Sequence, residues 1–170
     1  MTDITNRLVI RSGGQTGVDR AALDFAIARA IPYGGWCPLG GRAEDLETPP
    51  GLLARYQDLV ETPSRDYEQR TAWNVRDSHA TLILTNGSSL TMSAGTAFTL
   101  SCARLTFFRP VHVTDMKSPD AAATTGDWLA RTMAAAAQQR FELNVAGPRE
   151  SGSPGIYAAA LKFLADVFPG

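Results

Sequence analysis

Residues 7–31 read RLVIRSGGQTGVDRAALDFAIARAI, and the order of features in this stretch decides the fold. Leu8, Val9 and Ile10 make a short β-type run between two arginines. A polar, glycine-rich turn follows at once, Ser12-Gly13-Gly14-Gln15-Thr16-Gly17-Val18-Asp19. From Val18 to Ile31, the residues Ala22, Leu23, Ala26, Ile27 and Ala30 recur at spacings that line one helical face, and Pro32 closes the run. Strand, glycine turn and amphipathic helix in that order open an α/β unit with parallel strands.

The same alternation continues along the chain. Tyr33 to Cys37 is a strand candidate, and Pro38 to Leu53 is a long loop rich in glycine, proline and acidic residues. Leu59 to Glu61 reads as a short strand, Tyr67 to Ser78 as a helix, and Ala80 to Thr85 as a buried strand. Gly95 to Phe108 is expected as a helix, Val111 to Thr114 as a strand, and Asp127 to Gln139 as a helix anchored by Trp128. Glu142 to Val145 then gives the last strand and Ile156 to Phe168 the closing helix, while Ser118 to Gly126 reads as an exposed connection. The expected product is one Rossmann-like α/β domain over residues 1–170, a mainly parallel sheet with helices on both faces.

Composition narrows the function. The 170 residues are 44% hydrophobic, 19% charged and 8% aromatic, as in ordinary globular proteins. Sixteen Lys and Arg against 17 Asp and Glu leave a net charge of −1, so no global field draws the chain to nucleic acid or anionic lipid. Any anion site is local. Cys37 and Cys102 make no disulfide framework, and His79 and His112 lie too far apart for a metal-ligand spacing. Met1 to Leu8 lacks a signal-peptide pattern, and no apolar run approaches the roughly 20 residues of a membrane span. A soluble, cytoplasmic protein without a metal site is expected.

Three strand-to-helix turns carry the candidate chemistry, because helix N-termini offer free N–H groups to anions beyond the carboxyl ends of parallel strands. The first, Ser12 to Asp19, fits neither well-known phosphate fingerprint. A G-x-G-x-x-G reading needs glycine where Ser12 stands and an acidic residue where the second strand ends in Cys37-Pro38. A P-loop reading fails at Val18 and Asp19. The second turn, Asn86 to Thr96, ends in Ser93-Ala94-Gly95-Thr96, which suits a helix cap and an oxyanion seat equally. The third runs from Ala146 to Gly155, with Arg149 offering a planar fork for phosphate and Ser151 and Ser153 short hydroxyls; the other reading is a plain proline-rich connection. Trp36 with Arg42 suits a flat heterocycle beside a charged group, or Trp36 is simply core. Arg70, Asn74 and Asp77, with Thr71 beside them, share one helix face, as a site wall or as a solvated surface.

With these residues assembled, the chain from about Val9 to Tyr157 resembles the molybdenum cofactor carrier family, within the Rossmann-like group that includes the lysine-decarboxylase-like phosphoribohydrolases. The motifs are Ser12-Gly13-Gly14-Gln15-Thr16-Gly17-Val18-Asp19-Arg20, Gly34-Gly35-Trp36-Cys37-Pro38 with Gly41-Arg42-Ala43-Glu44-Asp45, Tyr67 with Arg70-Thr71 and Asn74-Val75, and Leu143-Asn144-Val145-Ala146-Gly147-Pro148-Arg149-Glu150-Ser151. The resemblance implies a homo-oligomer, dimer or tetramer, that holds molybdenum cofactor as cargo without changing it, with phosphate or sulfate able to occupy the site. In the related phosphoribohydrolases a double glycine and a catalytic glutamate flank the second turn; Ala94, Phe98 and Thr99 stand there instead and supply no carboxylate.

Residue reading and resemblance together assign ligand binding to Ser12, Gly13, Gly14, Gln15, Thr16, Gly17, Trp36, Cys37, Arg42, Arg70, Asn74, Ser93, Gly95, Thr96, Gly147, Arg149, Glu150 and Ser151. The ligand is a small phosphorylated heterocycle, molybdenum cofactor first. The alternatives are a nucleotide phosphoribohydrolase or nucleotidase using Asp19, Glu44, Asp45 or Glu150, and a sensor of nucleotide derivatives. Four further expectations follow. The first and second turns share one anion site because their strands are adjacent. Gly14 admits a larger side chain without harm to the core. The Pro38 to Leu53 loop is mobile and closes on ligand. Cys37 ends its strand beside the pocket.

Overall fold

The computed structural model describes residues 4–87 and 92–169. Six strands form one parallel sheet: β1 (Leu8–Arg11), β2 (Tyr33–Cys37), β3 (Leu59–Glu61), β4 (Ala80–Thr85), β5 (Val111–Asp115) and β6 (Phe141–Ala146). Five α-helices connect them: α1 (Val18–Ala28), α2 (Tyr67–Arg76), α3 (Ala94–Ser101), α4 (Ala121–Ala136) and α5 (Ile156–Val167). The strand order is β3-β2-β1-β6-β4-β5, an α/β Rossmann-like arrangement.

Side-chain alternation along the central strands divides the core. Leu8 and Ile10 of β1, Leu82 and Leu84 of β4, and Leu143 and Val145 of β6 join one buried cluster with α1, α4 and α5. Residues of the opposite parity, among them Thr81 and Asn144, are also buried, so both faces of the central strands are covered. A smaller cluster of Val75, Cys102 and Ala103 joins α2 to the end of α3. A third cluster of Leu23, Cys37, Ala43, Leu52, Tyr56 and Leu59 packs the loop after β2 onto α1 and β3.

Three features of the fold depart from expectation. First, β1 and β4 are not neighbours, since β6 lies between them and pairs with both, Arg11 with Asn144 and Ala80 with Leu143. The turn after β6 therefore stands between the other two turns. Second, α4 begins at Ala121 rather than Asp127, and most of the supposed connection from Ser118 to Gly126 is helical. Ala121, Thr125, Leu129 and Met133 form its buried stripe, with small residues in the first turns where large apolar ones would have announced a helix. Third, α3 stops at Ser101 and passes into a π-helical turn over Cys102–Thr106. Residues 88–91, part of the second turn, lie outside the described residues.

Candidate functional site

At the carboxyl ends of β1, β6 and β4 the three turns surround a cleft of about 410 Å³, within the range of small-molecule pockets. Gly13 and Gln15 come from the first turn, Ser93, Gly95 and Thr96 from the second, and Gly147 and Arg149 from the third. Arg70 and Asn74 of α2 complete the wall, together with Tyr67, Asp19 and Asn144. A second lobe of about 390 Å³ opens beyond Arg149, sharing Ser93, Thr96 and Arg149 with the first.

Guanidinium groups dominate the electrostatics. Arg42, Arg70 and Arg149 lie 5.3, 5.7 and 5.7 Å from the centroid of the Tyr67 ring, a cation–π arrangement on one residue of the cleft wall, although Arg42 itself lines neither lobe. Arg70 is paired with Asp19 at 2.7 Å. Arg149 reaches Glu44 at 3.7 Å and is half exposed. No carboxylate lies within ion-pairing distance of Arg42 among the described residues. Burial pushes the Asp19 carboxyl up from its ordinary value, against the opposing pull of Arg70 and a hydrogen bond from the Gln15 backbone N–H.

Gln15 is held in one orientation. Its Oε1 accepts from the backbone N–H of Thr16 at 3.0 Å and of Glu44 at 2.9 Å, which fixes the nitrogen at the other end of the amide. That nitrogen, Nε2, is closed to solvent and has no partner, and the same holds for Nε of Arg70. Two buried donors without acceptors on residues of one wall are uncommon in folded proteins.

Other candidate residues serve the framework. Ser12 Oγ donates to the carbonyls of Asp19 and Val145, tying the end of β1 to α1 and β6. Gly14 has φ +73°, and an added Cβ would stand 2.8 Å from Leu52, so this position belongs to the packing of the third cluster and does not tolerate a larger side chain. Gly17 has φ +79° and lets the first turn approach the Pro148 carbonyl, to which Val18 N–H donates at 3.2 Å. Asn74 clamps the Trp36 backbone, accepting from its N–H and donating to its carbonyl, both at 2.8 Å. Trp36 lines neither lobe: its Nε1–H donates to Asp77 at 2.7 Å and its ring meets Trp73 edge-on.

Cys37 is fully buried in the third cluster, and burial, with Glu61 nearby, pushes its thiol up to about 11. It lines neither lobe. Glu150 accepts from the N–H groups of Gly155 and Tyr157 at the start of α5. The loop after β2 is fastened by buried Ala43 and Leu52 and by a two-bond pairing of Arg20 with Asp45. Its Glu44 carboxylate gathers the Thr16 hydroxyl and the N–H and hydroxyl of Ser151. Burial alone would raise that carboxyl, but the bonds from Ser151 and Thr16 and the charge of Arg149 outweigh it and hold it below its ordinary value. Thr16 and Ser151 thus serve Glu44 directly.

Tyr67 and Asn144 stand within the sequence motifs but were not assigned to the site, because spacing alone does not show that α2 and β6 meet over the first turn. Asn144 falls on the β6 face opposite Leu143 and Val145 and donates to Thr81 at 3.3 Å. Among the described residues no group of three His, Cys, Asp or Glu side chains is placed to hold a metal ion, and no helix is long and apolar enough to cross a membrane.

Comparison with known proteins agrees with this fold. A solved structure from Syntrophus aciditrophicus SB, described as "Putative molybdenum carrier protein", is 38% identical to this chain, with a TM-score of 0.81, and the match covers 98% of this chain and 96% of that one. No curated protein matches the chain. A family model described as circularly permutated YpsA SLOG family matches residues 10–168, nearly the whole length, and to that family the chain belongs.

Proposed function

We propose that the chain binds and carries a small phosphorylated, anionic heterocycle at the three-turn cleft, with molybdenum cofactor as the first choice of cargo. The observation that carries this reading is the convergence of Arg42, Arg70 and Arg149 on Tyr67. Three cations around one ring repel one another, and Asp19 and Glu44 offset only Arg70 and Arg149. An anion seated there removes the imbalance, and guanidinium forks match phosphate geometry. The description of the relative from Syntrophus aciditrophicus supports a molybdenum-bearing cargo. The cargo's pterin would lie along the wall of Gly13, Gln15 and Asn74, with its phosphate toward Arg149 and the Ser93 to Thr96 turn. A cytoplasmic homo-oligomer, dimer or tetramer, belongs to the same reading, and native mass spectrometry reads the subunit number and bound mass together.

Calorimetry with inorganic phosphate tests the anion seat. Arg149→Ala and Arg42→Ala each remove a charged hydrogen-bonding partner worth about 1.5–3 kcal/mol, or roughly tenfold to a hundredfold in affinity. Changes below about twofold in both variants would place the phosphate elsewhere.

A further inference from the structure

Beyond the lobe given to the cargo's heterocycle, the cleft has a second lobe of nearly equal size. We infer that this second lobe seats a nucleoside, joined to the heterocycle in the first lobe through a diphosphate held at Arg149, so that the ligand is two-armed and dinucleotide-like. The inference rests on the anion-binding reading of Arg149 and adds the part of the ligand on its far side.

The lobes measure about 410 and 390 Å³, and Ser93, Thr96 and Arg149 border both. Each alone lies near the lower end of small-molecule pockets, roughly 300–1,000 Å³. A pterin or purine ending in one phosphate at Arg149 uses the first lobe and leaves the second open. Arg149 lies across the boundary. A Cβ built on Gly152, which lines the second lobe, would stand 3.8 Å from the Arg149 Cγ, while the guanidinium carbon is 5.7 Å from the ring of Tyr67, which lines the first. The Arg149 side chain is 46% exposed, so a ligand reaches it directly.

The lobes differ in charge. Asp19, Glu68 and Arg70 line the first in addition to Arg149. Among the described residues that line the second, Arg149 is the only charged one. Nothing deeper in that lobe attracts a second anion. Met92 and Pro148 offer apolar surface to a flat ring, and Asn86 and Ser153 an amide and a hydroxyl to its edge or to a sugar. Charge at the boundary with a neutral chamber beyond it matches a ligand whose phosphates lie in its middle. A guanidinium fork holds such a group through paired oxygens. A ligand whose phosphate is terminal would leave the neutral chamber without a counterpart.

Calorimetry with adenosine monophosphate, adenosine diphosphate and diadenosine diphosphate separates the contributions, because the second probe adds only a phosphate and the third adds a nucleoside beyond it. The wild-type protein is expected to bind diadenosine diphosphate about tenfold or more tightly than either of the others, a modest yield for the contacts of a whole nucleoside. Ser153→Phe and Gly152→Phe each add bulk at the lining of the second lobe. In at least one of them the ratio of diadenosine diphosphate to monophosphate affinity is expected to fall toward one. Equal binding of adenosine diphosphate and diadenosine diphosphate in the wild type, binding of none of the three, or an unchanged ratio in both folded variants overturns the inference. The wild-type ratio alone decides should neither variant fold. Inorganic phosphate is the separate control. Phosphate binding weakened by Arg149→Ala alongside equal affinities for the three nucleotides removes the second-lobe reading alone, whereas phosphate binding indifferent to both Arg149→Ala and Arg42→Ala removes the anion seat beneath it.

Discussion

Glu44 organises the surroundings of the cleft without lining either of its lobes. Its carboxylate organises Thr16, Ser151 and Arg149, and its backbone N–H helps to fix Gln15. Because its carboxyl is held below the ordinary value of 4.5, the folded state binds fewer protons there than the unfolded chain does. The stabilisation is therefore fully present above that value and is lost as pH falls through the lower folded one. Urea denaturation of wild type and Glu44→Gln is expected to show a stability gap at pH 7 that begins to narrow as pH falls below about 4.5; a gap that stays constant or widens on acidification contradicts this role. The motif Gly41-Arg42-Ala43-Glu44-Asp45 was legible in the sequence as belonging to the site region. Its division of labour was not, since Arg42 faces Tyr67 while Asp45 pairs with Arg20 on α1, and a linear motif does not show which side chains turn inward.

At the scale of elements, Glu150 separates a structural role from a ligand-binding one. It accepts from the N–H of Gly155 and from that of Tyr157, groups that the first turn of α5 leaves without helical partners. Glu150→Ala is expected to cost about 1–2 kcal/mol in urea denaturation, as loss of a capping side chain does. Phosphate affinity should stay within about twofold, since neither lobe of the cleft is lined by this residue. A tenfold loss of phosphate affinity with unchanged stability would return Glu150 to the site. The elements themselves were largely legible. Ala80–Thr85 is a mainly apolar run buried throughout, Phe141–Ala146 buries Phe141, Leu143 and Val145 around two polar residues, and Val18–Ala28 has an uninterrupted apolar stripe. The first turns of α4 escaped because Ala121 and Thr125 bury small side chains that read as linker. The order of strands escaped for a different reason: β6 pairs with β1 across more than a hundred residues, a contact set by packing and not by any local signal.

For the molecule as a whole, that long-range pairing is what gathers the site. With β6 between β1 and β4, Arg149 enters from the centre of the sheet edge, and α2 delivers Arg70 and Tyr67 from above the first turn. The resulting cleft holds donors and cations, and three of the four carboxylates in or beside it are committed. Asp19 is paired with Arg70, Glu44 with Ser151, Thr16 and Arg149, and Asp45 with Arg20. Glu68 lines the cleft as an exposed residue. Cleaving a glycosidic or phosphate ester bond by acid–base catalysis needs a carboxyl group free to deliver or take a proton at the reacting bond. In the proposed carrier role none of these groups, Glu68 included, acts on the reacting bond of a bound ligand. Purified protein incubated with a panel of nucleoside monophosphates is therefore expected to bind at most one equivalent per chain and to release neither free base nor inorganic phosphate, as followed by chromatography. Saturating ligand should raise stability by mass action, about 2.7 kcal/mol at a hundredfold excess over Kd. Repeated turnovers that disappear in Asp19→Asn or Glu68→Gln would instead show that one of these carboxylates acts on the ligand, and the cleft would then be that of a hydrolase.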